Sequence, residues 1–356
     1  MKKTLLIVIS IISSTAFGQV CFDVQSNPNS TTPGLSVFTK YINVYGVKIY
    51  ASSSVSDEDI KHCASVMAEY LDNDEDSIPD NQAVVDEMVS NGAFMAMFST
   101  DGSNDQQEFF DNYNGNDAGQ DLYGDETHPS GSSQSNGFDA TLEEVLHLIT
   151  SAGYSGVYPS VFGEQQGTSL CNAMDIARGG QFTSVPNNYP TEAWYHYDDQ
   201  TCDYGCMATE YIYWSLTSIL GAQNYSGRCN DISVEWELCT KTQIEATDTS
   251  IYKLLTDPQY KFATILPDGI YCPTKTATGV KPIKRLMGKI YPNPSNGIIK
   301  IDFPQKIDHI SVYDSLGKLV YHSLRIEQPL DLSFLNSGLY HITFDDIVFD
   351  RLVISK

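Results

Sequence analysis

The positions of the cysteines constrain this chain more than any other feature of its sequence. All eight lie between Cys21 and Cys272, and none follows in the C-terminal part. An even number of cysteines within one segment predicts up to four disulfide bonds there, with the pairing left open. The alternative is a metal site at Cys202-x-x-x-Cys206, although no CxxC pair follows to complete it. We therefore expect a cross-linked module followed by a cysteine-free one.

The N-terminus indicates export from the cytoplasm to an oxidising environment, in which these cysteines can form disulfide bonds. Residues 1–18 combine a basic start, an apolar stretch at 5–12 and small residues before Gln19, which is the pattern of a secretory signal peptide. No later stretch approaches the roughly 18 consecutive apolar residues of a transmembrane helix. The sequence therefore predicts a secreted chain with no transmembrane segment.

Charge divides the chain at nearly the same place as the cysteines. Residues 20–280 carry 9 Lys and Arg against 37 Asp and Glu, a net charge of −28, whereas residues 281–356 carry 10 basic and 8 acidic residues. A module this acidic repels nucleic acid and anionic membranes, so nucleic acid is excluded as a partner and divalent cations are favoured. Residues 276–286 are polar or basic without apolar periodicity, which predicts a linker between the acidic module at 20–275 and the C-terminal region.

The C-terminal region carries four motifs in order. They are a YPNP turn beginning at Tyr291 and followed by Asn-Gly, an SVYD and GKLV pair of strands, an LNSGLY turn beginning at Leu335, and the terminal Lys356. Together they resemble the C-terminal sorting domain of proteins exported by the type IX secretion system of the Bacteroidetes. The resemblance implies a small all-β, Ig-like sandwich at 287–356, the type IX secretion machinery as a partner, and a final location outside the cell or on its surface.

Apolar periodicity in residues 20–275 favours a mainly helical module with minor strand content. Helical spacing predicts helices over 57–71, 83–97, 141–151 and 207–220, and residues 45–50 suggest a short strand. Residues 101–137 are poor in aliphatic side chains and rich in Gly, Asn, Asp and Ser, so we expect a long loop there. The predicted fold class is a mainly α (α+β), disulfide-bonded module followed by the all-β sandwich.

An acidic stretch follows the first predicted helix. Asp72, Asp74, Asp76 and Asp80 stand at positions 1, 3, 5 and 9, the alternation that brings oxygen ligands to one calcium ion. The stretch resembles the calcium loops of thrombospondin-type repeats and EF-hands, but Ser77 replaces their preferred glycine and the bidentate Glu at position 12 is absent. We expect a structural calcium site, and the alternative is a solvated acidic loop.

The predicted helix at 141–151 places Glu143, Glu144 and His147 opposite an apolar stripe. It resembles the HExxH helix of zincin metallopeptidases, with Glu143 in place of the first His. The resemblance implies that Glu143 and His147 bind zinc and that Glu144 is the general base for an attacking water. The alternative is a capping box between Thr141 and Glu144, with Glu143 and His147 as a solvated i,i+4 pair.

Glu210 is the only charged residue between Tyr204 and Tyr225, in a helix that is apolar on nearly every side. A buried carboxylate costs several kcal/mol unless it is paired, protonated or bound to metal. We therefore expect its oxygens within about 6 Å of His147 or Glu144. In gluzincins a Glu on a later helix completes the metal site, and the resemblance implies that role for Glu210. The alternative is hydrogen bonding to buried tyrosines.

An aromatic segment between these helices contains Tyr195 and His196, and we expect one of them to stabilise a developing oxyanion. The alternative is that the aromatic residues stack on sugar rings. His128 is a possible further ligand. The sequence thus predicts a secreted metal-dependent hydrolase acting on protein or polysaccharide, foremost a zincin-type peptidase that uses zinc. Two alternatives stay open. One is a calcium-stabilised, non-catalytic surface module for carbohydrate binding or cell adhesion, and the other is a zincin-like pseudoenzyme.

Overall fold

The computed structural model describes residues 22–273, 289–302, 310–314, 318–323, 328–344 and 348–356. It divides the chain into two compact units, Met1–Thr274 and Lys275–Lys356. This division agrees with the boundary that cysteine and charge predict. The predicted signal peptide, the linker at 276–286 and Cys21 lie outside the described residues.

A five-stranded sheet forms the centre of the first unit. Its strands run in sheet order β1 (Gln25–Ser26), β2 (Phe38–Val44), β3 (Val47–Ser52), β4 (Phe94–Phe98) and β5 (Gly119–Tyr123). The first three pair antiparallel, whereas β3–β4 and β4–β5 pair parallel. Tyr45 and Gly46 form the β2–β3 turn with positive φ, so the strand predicted at 45–50 begins only at Val47. The last strand, β5, lies at an edge of the sheet.

Helices supply the crossovers between the parallel strands and the rest of the unit. They are α1 (Asp57–Leu71), α2 (Gln82–Ser90), α3 (Asn104–Asn112), α4 (Thr141–Ile149), α5 (Ser155–Val157), α6 (Ser169–Ala177), α7 (Tyr204–Leu220), α8 (Arg228–Asp231), α9 (Lys241–Thr247) and α10 (Thr249–Thr256), with a 3₁₀ turn at Leu35–Val37 and a π-helical turn at Thr150–Tyr154. Ser56 caps α1 through a reciprocal capping box with Asp59. None of the described helices is long and apolar enough to cross a membrane.

Two sequence predictions about this unit are wrong. The helix predicted at 83–97 ends at Ser90, and residues 94–98 form β4 instead. All five residues of β4 are buried, and a short apolar run of this kind cannot be told from a helix by periodicity. The loop predicted at 101–137 contains α3 and β5, so strand content is not minor and the unit is a mixed α and β structure around one sheet.

The two faces of the sheet bury different cores. One face, with Ile49, Met95 and Leu122, belongs to the large core that includes α1, α4 and α7. The other face belongs to a smaller aromatic core that contains Phe94 and Phe109. The face covered by helices therefore positions α4 and α7, which carry the residues of interest.

Disulfide bonds join Cys202 to Cys206 and Cys229 to Cys239, and Cys272 is also disulfide-bonded. Cys63 and Cys171 are free and buried, so the expected maximum of four disulfides is not reached. These two cysteines pack as small apolar side chains in the core. The alternative of a metal site at Cys202-x-x-x-Cys206 is wrong, because both sulfurs are used in one bond.

The second unit is built from β-strands. They are β6 (Lys289–Tyr291), β7 (Ile298–Asp302), β8 (Ile310–Tyr313), β9 (Leu319–Ser323), β10 (Leu330–Asp331), β11 (Gly338–Phe344) and β12 (Val348–Ile354). They form a three-stranded sheet, β10-β7-β6, and a four-stranded sheet, β12-β11-β8-β9, with every pair antiparallel. Aliphatic side chains of both sheets share one core. The prediction of an all-β C-terminal region is confirmed.

Candidate metal centre

Helix α4 begins without the side-chain cap that its sequence suggested. Its N-cap is Ala140, which makes no side-chain capping bond, so the capping box between Thr141 and Glu144 is absent. The carboxylate of Glu144 instead accepts a 2.6 Å hydrogen bond from the Gln120 side chain on β5. This leaves Glu144 held at the sheet edge rather than at the helix terminus.

Helix α7 is fixed at both ends. Asp203 caps its start by accepting a hydrogen bond from the backbone of Cys206, within the loop that the Cys202–Cys206 disulfide closes. Gly221 ends the helix in the left-handed conformation, at φ 92°. Since α7 packs against α4, these caps set the position of Glu210 relative to the α4 side chains.

Three candidate ligands meet where α4 and α7 pack. One donor atom from each of Glu143, His147 and Glu210 lies within 4.8 Å of the other two. Nε2 of His147 is 3.5 Å from the Glu210 carboxylate, and its Nδ1 is 3.5 Å from that of Glu144. The predicted proximity of Glu210 to His147 is confirmed. The alternative of a solvated Glu143–His147 pair is wrong, because His147 is only 7% exposed.

One atom in this candidate metal cluster (Glu143, His147 and Glu210) lacks a hydrogen bond. Nε2 of His147 is buried and forms no hydrogen bond with any residue that the structure describes. Its 3.5 Å separation from Glu210 is an ion-pair distance without hydrogen-bond geometry. A buried polar atom without a hydrogen bond costs about 1–3 kcal/mol, which a ligand bound at Nε2 would remove.

The electrostatics of the cluster reflect carboxylates that are buried beside one imidazole. Burial, and then the charge of Glu210, raise the pKa of Glu143 to about 8, against the opposing charge of His147. Burial lowers the pKa of His147, but the carboxylates of Glu210 and Glu144 outweigh it and raise that pKa well above its usual value. Within the described residues, no Lys or Arg forms a salt bridge with these carboxylates. Protons on Glu143 and His147 therefore offset the negative charge of the cluster, and a bound cation would displace them.

Two tyrosines that sequence reasoning did not select border the cluster. The hydroxyl of Tyr197 donates a 3.2 Å hydrogen bond to Glu210, so the tyrosine alternative for Glu210 holds alongside its contact with His147. Tyr213 stands edge-on to the His147 ring, at 5.7 Å between centroids, and hydrogen-bonds Glu143. Tyr213 could have been found from the sequence, because it lies three residues after Glu210 on the same helix.

The two residues expected to stabilise an oxyanion have other hydrogen-bond partners. Tyr195 is fully buried, and its hydroxyl donates to the backbone carbonyl of Met207 at 2.8 Å. A ring nitrogen of His196 lies 2.8 Å from the Ala193 carbonyl. Neither residue, nor His128, is among the donors that converge in the metal cluster.

A second acidic group forms at the predicted calcium loop. Asp72, Asp74 and Asp76 bring one carboxylate oxygen each within 4.8 Å of one another, whereas Asp80 accepts a hydrogen bond from the Asn73 backbone. Ser77 adopts φ 73°, the left-handed conformation for which such loops prefer glycine. The buried Asp72 carboxylate accepts hydrogen bonds from the backbone of residues 76 and 77 and from two tyrosine hydroxyls. These hydrogen bonds to Asp72 therefore help to hold the loop in its conformation.

Comparison with known proteins identifies the C-terminal region. Residues 289–349 match the family model described as the secretion system C-terminal sorting domain. No curated protein and no solved structure matches the chain significantly. The chain is thus exported by type IX secretion to the cell surface or beyond it, and its partner in that step is the secretion machinery. The zincin resemblance of residues 20–275 gains no support from these comparisons.

Proposed function

We propose that the first unit is a metal-dependent hydrolase of zincin type that cleaves peptide bonds, with zinc held by Glu143, His147 and Glu210. The observation that carries the proposal is the buried Nε2 of His147, which forms no hydrogen bond and converges with one oxygen each of Glu143 and Glu210. A divalent ion at this place would bond to Nε2 and displace the protons that His147 and Glu143 hold.

The donor set fits the ion. Zinc accepts imidazole nitrogen and carboxylate oxygen, and a catalytic site needs three protein ligands with one position left open. When bound, zinc would supply Lewis-acid polarisation of the scissile carbonyl and activate a water nucleophile. Glu143 in place of the usual His makes the set richer in oxygen, yet it keeps the count of three.

The neighbouring side chains have distinct roles in this proposal. Glu144 is the general base, because its carboxylate stays 20% exposed beside the cluster and Gln120 orients it. Tyr197 takes the assisting role that the sequence suggested for Tyr195, since its hydroxyl reaches Glu210 and that of Tyr195 is bound to a backbone carbonyl. Tyr213 orients Glu143 from the buried side.

A second candidate function rests on the acidic loop. In it, Asp72, Asp74 and Asp76 hold a structural calcium ion, and the unit is a non-catalytic surface module for carbohydrate or cell contact. The convergence of three carboxylates and the left-handed Ser77 favour it. The third candidate is a pseudoenzyme that keeps the zincin-like arrangement without activity. The two-sheet tail, which we propose to be an Ig-like sandwich, serves export in every case.

Metal analysis of the purified secreted chain tests the proposal. We expect elemental mass spectrometry to find one zinc ion per chain in the wild type. The His147→Ala and Glu210→Gln variants should contain no zinc. Glu192→Gln is the matched control, because Glu192 is exposed and lies outside the metal cluster. Glu144→Gln should keep the metal and lose hydrolysis of an unfolded protein substrate such as casein.

The outcomes separate the three candidates. A folded chain that takes up no zinc at saturating concentration contradicts the hydrolase. Calcium binding alone, lost in Asp74→Asn, supports the surface module. Zinc that is bound through Glu210 without any hydrolysis supports the pseudoenzyme.

A further inference from the structure

A cavity of about 320 Å³ opens on the face of the sheet opposite α4. We call it the aromatic pocket. Its lining includes four aromatic side chains and two carboxylates: Phe94, Phe109, Phe110, Tyr113, Asp117 and Asp121. Strands β4 and β5 form its floor, while α3 and the loop after it form its wall. The pocket is separate from the metal cluster, which lies on the helix-covered face.

Two glycines allow the aromatic rings of the pocket to pack directly on the backbone. A Cβ at Gly119 would lie 2.8 Å from the Phe94 ring, and one at Gly115 would lie 2.4 Å from the Tyr113 hydroxyl. Both contacts are closer than atoms tolerate, so any side chain there would displace the rings. The two glycines therefore fix the positions of Phe94 and Tyr113 in the pocket lining.

The rings form a continuous aromatic wall. The Phe109 and Tyr113 rings stack at 4.9 Å between centroids, and Phe94 stands edge-on to Tyr113 at 5.6 Å. Phe110 packs edge-on against Phe109 at 5.2 Å and is 58% exposed. An exposed phenyl ring at the mouth of a ring-lined cavity gains from a ligand that covers it.

The two carboxylates are held in place but not neutralised. Asp117 accepts a 2.5 Å hydrogen bond from Tyr113, and Asp121 accepts one from Tyr123 at 2.8 Å and one from Gln106 at 3.3 Å. Neither forms a salt bridge with any Lys or Arg that the structure describes. Oriented carboxylates beside aromatic faces attract a cation through charge and through the ring quadrupoles together.

We propose that the aromatic pocket binds the cationic side chain of a lysine or arginine in a polypeptide. The net charge of −28 over residues 20–280 draws such a ligand to this face, and a cavity of about 320 Å³ admits one long side chain. A neutral sugar would also stack on the rings, but it gains nothing from the uncompensated charge of Asp117 and Asp121. The chemistry therefore favours a basic polypeptide.

The pocket shares strand β5 with the metal cluster. The Gln120 side chain contacts Glu144, while residues 119–121 together line the pocket. Successive side chains of a strand point to opposite faces, so one short segment serves both features. The proposal does not depend on metal binding. If the hydrolase proposal also holds, the pocket selects basic polypeptides as substrates.

Peptide titration of the secreted chain in EDTA tests the pocket without the metal centre. The probes are acetyl-Gly-Gly-Arg-Gly-Gly-amide and the same peptide with Gln in place of Arg, observed by saturation-transfer NMR. We expect the Arg peptide to bind about tenfold more tightly than the Gln peptide, and added salt to narrow the difference.

Two variants locate the binding. Phe110→Ala and Asp121→Asn should each weaken binding of the Arg peptide about fivefold. Asp111→Asn is the matched control, because Asp111 lies next to Phe110 on α3, is exposed and does not line the pocket. Phe110 is largely exposed, so its replacement leaves the fold intact. Equal binding of the two peptides, or unchanged binding in both variants, overturns the proposal. Tight binding of a methyl glucoside at the same residues would overturn it in favour of a carbohydrate site.

Discussion

Replacing Glu69 by Gln should stabilise the first unit relative to wild type, by an amount that increases with pH. Glu69 lies on α1 and is 3% exposed. One carboxylate oxygen accepts hydrogen bonds from the backbone of Asp268 at 2.6 Å and of Gly269 at 3.1 Å. The other is buried without a hydrogen bond to any described residue. Burial, with smaller contributions from the charges of Asp268 and Glu75, raises the pKa of Glu69 from 4.5 to about 7, although the two backbone bonds oppose it.

The magnitude follows from proton linkage. Between pH 4.5 and about 7 the folded state keeps a proton on Glu69 that the unfolded state has released. Stability therefore falls as the pH rises through this window, by about 1.4 kcal/mol per pH unit and about 3 kcal/mol in total. Gln does not titrate, so Glu69→Gln escapes this loss. We expect the free energy of unfolding of the variant, relative to wild type, to rise by about 3 kcal/mol between pH 4.5 and pH 8.

Urea unfolding followed by tryptophan fluorescence measures this difference. The chain contains three tryptophans, Trp194, Trp214 and Trp236, and all lie in the first unit, so the signal reports on that unit alone. EDTA removes contributions from bound ions. Glu58→Gln is the control, because Glu58 is an exposed residue of the same helix. A difference between Glu69→Gln and wild type that stays constant across this pH range would refute the reasoning.

Two further predictions concern buried groups of the same unit. Burial raises the pKa of Asp139, but the hydrogen bond with His62 at 2.7 Å outweighs it and holds that pKa below 3.8. Asp139→Asn should therefore lower the free energy of unfolding by about 3 kcal/mol at neutral pH. The difference from wild type should shrink as the pH falls below 3.8 and through the pKa of Asp139 in the folded state. An equal difference at pH 3 and pH 7 would contradict this prediction. Cys63 and Cys171 are free and buried, so an alkylating reagent should label them only after the chain is denatured, with no reductant added. Intact-mass measurement detects the label. Labelling of the native chain would show that at least one of these cysteines is accessible.

Short-range features of this protein could be determined from the sequence. The sorting motifs lie in one contiguous stretch, and the all-β unit is found where they occur. Helix α1 begins where Ser56 can cap it, because a cap involves only residues three positions apart. The acidic loop converges at Asp72, Asp74 and Asp76 for the same reason.

The approach of Glu210 to His147 was also predictable, although the two residues lie on different helices. Glu210 is a lone charge in an apolar helix, and physical chemistry allows a buried carboxylate few partners. The glutamates and histidine of α4 were the nearest chemical match in the sequence. The 3.5 Å distance between His147 and Glu210 confirms the pairing, while the zinc ion and the hydrolase activity stay proposals.

Only the tertiary structure decided which distant residues join these local features. Strand β4 is buried on both faces, so its apolar run carries no alternation that distinguishes it from a helix. The hydrogen bond from Gln120 to Glu144 and the aromatic pocket both depend on where β5 lies at the sheet edge. Strand pairing is set by long-range packing and hydrogen bonding, which no short stretch of sequence specifies by itself.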